Sequence, residues 1–150
     1  AATGLLNDAD TITGFASADA INVSAFATDN APLANEIADS ATADKDGAGG
    51  TSNITTNSII KILDADGSMD TATEVSDLFD DGTDAGQALA SLAANANVVV
   101  LVRDTTNDET QIWYVDGDND ATNGVAAGEV LLVGTLPSYS TVFADAHVID

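Results

Sequence analysis

The chain has no cysteine among its 150 residues. Disulfides and thiolate metal sites are therefore excluded, which leaves apolar burial, hydrogen bonds and hard-ion ligation to hold a fold. Positive charge is almost as scarce. Lys45, Lys61 and Arg103 stand against 25 acids, for a formal net charge of −22. Nothing is available to displace the counterions of a nucleic acid, and an anionic membrane surface is excluded as a partner on the same ground. Aromatics are only 5% of the residues, so a core has to be built from Val, Ile, Leu and Ala. No segment approaches the roughly 18–20 apolar residues of a membrane span, so no membrane insertion is expected. The opening "AATGLLNDAD" lacks the basic region of a signal peptide and does not begin with Met, so the chain reads as processed or as a piece of something longer.

What is abundant is aspartate. Glutamate occurs only at positions 36, 74, 109 and 129, and short aspartates beside Gly and Asn suit oxygen cages in loops. Together with the missing cysteine this fits a bacterial extracellular protein that uses hard metal ions as staples. The length suits one domain, with lobes at 1–57 and 58–150 as a possible subdivision.

Along the chain, "DTITGFASADAINVSAF" reads as two short strands, 11–15 and 20–26, around a polar turn. Residues 27–57 read mostly as loop, with one helical turn near 33–37. "SIIKIL" (58–63) is a strand that runs into an acidic loop. Thr71 and Glu74 are spaced as a capping box, with Val75, Leu78 and Phe79 on one helical face, which predicts a helix over 72–81 closed by Gly82. A second helix is predicted over 84–94, with Asp84 as its N-cap. "NVVVLVRD" is an unbroken β-branched run and predicts a strand buried on both faces. "TTNDET" is its turn, "QIWYV" pairs back antiparallel, and "EVLLVGTL" supplies a third strand. A last short strand ends the chain.

Two acidic loops carry the candidate chemistry. Ca²⁺ takes six to eight oxygens, which a loop supplies when alternate side chains point inward and a glutamate closes the cage. Asp116, Asp118 and Asp120 have that alternate spacing, with Glu129 as the closing acid. Ala121 and Ala127 stand where an EF-hand needs glycine and glutamate, so this is not an EF-hand. The earlier loop offers Asp64, Asp66, the Ser68 hydroxyl and Asp70, and it echoes the later one, since each follows a strand with D-x-D and runs on to Glu-Val. The alternative stays open that these acids close ordinary turns, and that Asp70 or Thr71 caps a helix. Trp113 reads as a core residue, with a sugar-stacking platform as the alternative. His147 has no nucleophile motif near it and reads as structural. Nothing selects a catalytic carboxylate pair, so no enzyme is expected.

The segment Asp10–Phe26 resembles the "D-x-I-x-D-F-x-x-x-x-D-x-I-D-L-S" stretch of RTX-type bacterial proteins exported by type I secretion, which include repeat toxins, surface-layer proteins and adhesins. Asp10, Ile12, Phe15, Asp19, Ile21 and Ser24 match, while Gly14 and Asn22 replace two of the acids. The later half, "VVVLVRDTTNDETQIWYVDGDNDATNGVAAGEVLLVGTL", is similar to C-terminal modules of such surface proteins, and "FADAHVID" is similar to their export signals. The G-G-x-G-x-D repeats are absent, so no parallel β-roll is implied. The resemblance adds Asp10 and Asp19 as candidate calcium ligands. It implies a secreted, non-catalytic, calcium-binding module at the cell surface.

The expectation is an α+β fold: an antiparallel, sandwich-like sheet with two short helices and acidic calcium-binding loops. In function it is a structural protein that self-associates with copies of itself into a surface layer, filament or adhesin. Two alternatives are a carbohydrate-binding module that takes cell-surface polysaccharide, and the C-terminal export or folding domain of a secreted hydrolase.

Overall fold

A computed structural model describes residues 9–16, 18–22, 59–64, 67, 69–79, 96–117 and 125–139, and the backbone of strand residues 37–39, 52–54, 58, 90–92 and 148–149. The structure is mostly β. Its strands are β1 (Asp10–Thr11), β2 (Ile21–Asn22), β3 (Ile37–Asp39), β4 (Ser52–Ile54), β5 (Ser58–Asp64), β6 (Ala90–Leu92), β7 (Asn97–Asp104), β8 (Glu109–Asp116), β9 (Val130–Pro137) and β10 (Val148–Ile149). Among the described residues there are also helix α1 (Ala72–Ser76) and a 3₁₀ turn (Ala127–Glu129).

Six strands form one sheet in the order β1-β9-β8-β7-β5-β3. The meander β7-β8-β9 is antiparallel, as the sequence leads one to expect, because the "TTND" turn and the loop after Asp116 return the chain directly. The sheet as a whole is mixed, however, and not antiparallel. β5 pairs parallel to β7 over seven residues, β3 parallel to β5, and β1 parallel to β9. The reason lies in the connection. The chain from Asp64 to Asn97 holds α1 and is long enough to cross back over the sheet, which a parallel pair requires.

β7 is buried without a break from Val98 to Val102, and this β-branched run meets apolar groups on both faces. One face holds Ile60, Ile62, Val98, Val100, Val102, Trp113 and Val115, covered by Met69, Val75, Leu78 and Phe79. The other holds Ile59, Val99, Leu101, Ile112 and Leu136, covered by Tyr139, Phe15 and Ile21. Phe15 and Tyr139 meet edge to face, with ring centroids 4.9 Å apart. A bulge shifts the alternation along β9: Ile112 opposes Gly134 and Trp113 opposes Leu132, so Val133 is the extra residue. Leu132 therefore packs with Trp113, whereas Leu136, which an unbroken strand would place on the same face, reaches the opposite cluster.

The capping box forms as expected. The Thr71 hydroxyl accepts from the Glu74 N–H, and the Glu74 carboxylate accepts from the Thr71 N–H at 2.9 Å. The helix is shorter than the expected 72–81, ending at Ser76, and Leu78 and Phe79 reach the core from the turn that follows. The second expected helix is corrected at its end: residues 90–92 form β6, which pairs parallel to β4. Ala and Leu are strong helix formers, but propensity differs between ordinary residues by less than about 1 kcal/mol, and backbone pairing with Ser52–Ile54 overrides it. Its remaining span, 84–89 and 93–94, lies outside the described residues, as does Gly82. The expected loop at 27–57 contains β3 and β4, and Ile37, read as the end of a helical turn, begins a strand. β1 is shorter than expected, β2 forms at Ile21–Asn22 with the rest of its expected span, 23–26, outside the described residues, and the last strand forms as β10, parallel to β2. Among the described residues no helix is long and apolar enough to cross a membrane.

Candidate site at the acidic strand ends

β5 and β7 both end in aspartate, and the parallel register makes Asp64 and Asp104 direct neighbours. The same row continues to Asp39 on β3 and to Glu109 on β8. Four strands thus bring four acids to one end of the sheet. Like charges placed side by side repel, and the chain offsets this with backbone dipoles.

Asp64 is only 1% exposed. Its carboxylate accepts the Gly67 N–H at 2.8 Å and the Met69 N–H at 2.9 Å. These bonds curl the chain back, and Met69 drops into the core. The curl requires a positive φ at Gly67 (+75°), where an added Cβ would also press on Thr106 at 3.2 Å. Asp104, equally buried, accepts the N–H groups of Thr106 (2.8 Å) and Asn107 (2.9 Å), and also the Asn107 side-chain amide. The Thr105 N–H donates to the Asp64 carbonyl at 3.0 Å, so the two turns are joined.

Around this pair the charges perturb one another. Asp70 is exposed, and slight desolvation, the neighbouring Glu74 and the nearby Asp104 push its carboxyl above the usual value. For Glu74 burial works the same way, but the Thr71 hydroxyl and N–H outweigh it and hold that carboxyl below the usual range. A line of polar contacts also leads inward. Glu109 accepts from the Gln111 amide at 3.0 Å, and the Gln111 carbonyl accepts the Trp113 indole N–H at 2.9 Å.

The second loop starts at the other end of the sheet. Asp116 pairs with Asn97, seven residues along β7 from Asp104, so the two loops are about 23 Å apart at the strand rise of roughly 3.3 Å per residue. Half-buried Asp116 sits near Tyr114, whose hydroxyl is pushed up first by burial and then by that charge. The Gly117 N–H bonds the Ala96 carbonyl at 3.0 Å. Glu129 accepts the Ala126 N–H at 2.7 Å and so closes its own 3₁₀ turn.

The structure therefore sorts the expected ligands. Asp64, Asp70 and Asp116 stand at the starts or ends of their loops, with Asp64 and Glu129 bonded to loop amides. Asp66, Ser68, Asp118 and Asp120 lie outside the described residues, as does His147. Asp19 accepts the Ala16 N–H at 2.8 Å within the turn between β1 and β2, and Asp10 lies on β1 beside Gly134. Among the described residues no three acids converge closely enough to hold one ion. The described carboxylates do not by themselves form a cage.

Sequence reasoning missed Asp104. The signal was present, since "VLVRDTTN" repeats the pattern of "IKILDADG", an apolar strand ending in aspartate followed by small polar residues. The echo noticed in sequence pairs Asp64 with Asp116, whereas its structural counterpart in register is Asp104. Trp113 is in the core at 4% exposure, as expected, and offers no face to a sugar. No protein-family model, no curated protein and no solved structure matches this chain.

Proposed function

We propose that the chain is a non-catalytic, calcium-dependent structural module of the bacterial cell surface, secreted and associating with its own copies. On this reading the fold is an α+β, sandwich-like module whose acidic loops are ion sites. Asp64 with Asp66, Ser68 and Asp70 would hold one ion, and Asp116 with Asp118, Asp120 and Glu129 a second. Calcium bound there would neutralise the mutual repulsion of these acids and couple folding to the extracellular ion.

The observation that carries the reading is the in-register row of Asp64, Asp104 and Glu109 beside Asp70, on a chain with only three basic residues. Loop N–H groups already orient Asp64, as second-shell bonds orient ligating carboxylates in metal sites. The carbohydrate alternative loses Trp113, which is buried, and is left with the half-buried Tyr114 as its stacking residue, and no observation favours an export domain of a hydrolase over a structural module.

The test is thermal unfolding and sedimentation of the purified chain in EGTA, in millimolar Ca²⁺ and in Mg²⁺. A melting temperature and an association state raised by Ca²⁺ alone are expected. Curves that coincide in all three would reduce the acids to turn residues and remove the calcium reading.

A further inference from the structure

The outer edge of β9 is eight residues long, and among the described residues β1 pairs with two of them, Gly134 and Thr135. One more bond, from the Ile12 N–H to the Thr135 carbonyl at 2.9 Å, completes the contact. Asp10, Thr11 and Ile12 are all exposed, and Ile12, at 40%, is the one exposed large hydrophobic residue among those described. Beneath it lies an apolar cavity of about 180 Å³ lined by Ile12, Ile21, Val99, Ile112, Val133 and Gly134. A short, exposed edge strand is the kind of segment that opens at the low end of a protein's local stabilities. Once open, it would leave an apolar seat and a free β-edge, which templates pairing with another chain.

The seat is shaped for one occupant. Gly134 lets the strand approach so closely that an added Cβ would lie 2.9 Å from the Asp10 carbonyl oxygen. The strand entering there is this chain's own, running parallel to β9, and it leaves through Thr13 and Gly14, the latter at φ +78° with open space around it. We infer that β1 exchanges between copies: residues 10–12 of one molecule pair with β9 of the next. This inference rests on the self-association proposed above and names its surface.

An exchanged strand makes the same contacts as the intramolecular one, so concentration alone can favour it. Donor and acceptor are different patches of the chain, so passing the strand onward builds an open series, whereas a reciprocal swap closes a dimer. At a net charge of −22 per copy, repulsion opposes either assembly, and salt or divalent cations relieve it.

The absence of cysteine makes the test clean. Thr11 and Thr135 are register partners outside both core clusters, and neighbouring strand positions are about 4.8 Å apart, within disulfide reach. Full-length Thr11→Cys and Thr135→Cys chains are made separately, checked for the parental melting temperature, mixed with Ca²⁺ under mild oxidation and run on a non-reducing gel. A product containing one chain of each kind, in excess of what either forms alone, is expected, and the double variant should give linked dimers or a ladder. If the double variant closes only within single chains and the mixture gives no mixed product while sedimentation still shows assembly, the exchange is wrong and the structural reading stands. A chain that stays monomeric in sedimentation overturns both.

Discussion

Replacing Asp64 by alanine removes a carboxylate that is 1% exposed and holds the N–H groups of Gly67 and Met69 at 2.8 and 2.9 Å. Hydrogen bonds to charged groups contribute about 1.5–3 kcal/mol each, and two on one carboxylate do not add fully. Against this, the variant no longer buries a charge beside Asp104, which returns part of the loss. The balance is a destabilisation of about 2–4 kcal/mol, because the loop that drops Met69 into the core also loses its anchor. For a chain of this length that lowers the melting temperature by on the order of 10 °C. Asp64→Asn keeps one acceptor oxygen and should fall between alanine and the parent. The assay is thermal unfolding in EGTA, with circular dichroism and the fluorescence of Trp113 as independent probes. The loss should be fully present without calcium, because the acceptors bond backbone groups of the chain itself. Melting curves for Asp64→Ala and the parent that coincide in EGTA would refute the turn-anchoring argument.

Two further outcomes follow from the packing. Thr71→Ala removes one half of the capping box and should destabilise by about 1 kcal/mol at neutral pH. Since the Glu74 carboxyl is held below its unfolded value, its contribution is complete above the unfolded pKa and is lost as pH falls through the folded one, so the difference between parent and variant should narrow in acid to what the bond from the Glu74 N–H to the Thr71 hydroxyl contributes; an undiminished difference at low pH would show that the Glu74 carboxylate is not part of its source. Phe79→Ala, at a side chain packed with Leu78 and Val75 against the sheet, should cost about 3–5 kcal/mol in urea unfolding; a loss below about 1 kcal/mol would mean that the segment after α1 is not part of the core.

Local chemistry made much of the fold legible. The unbroken run of Val98 to Val102 announces a strand buried on both faces, the "TTND" turn announces its antiparallel return, and Thr71 with Glu74 announces a helix start. These signals depend on neighbours a few residues away. The residues at 90–92 were misread for the same reason: alone they favour a helix, and only the pairing partner at 52–54, far away in the chain, makes them a strand. β3 was missed likewise, because a three-residue edge strand has almost no period of its own.

The sequence by itself determined the chemistry available: an aliphatic core, no disulfide, an extreme surplus of acid, and loops in which aspartate follows strands. Register was decided only in three dimensions. The long connection from Asp64 to Asn97 allows β5 and β7 to run parallel, and parallel pairing sets Asp64 against Asp104 while the direction of β8 carries Asp116 to the far end of the sheet. Two loops that look alike in sequence therefore come to differ in surroundings, because the neighbours of a strand's last residue are chosen by which strands lie beside it, and that choice is made by burial of both sheet faces at once.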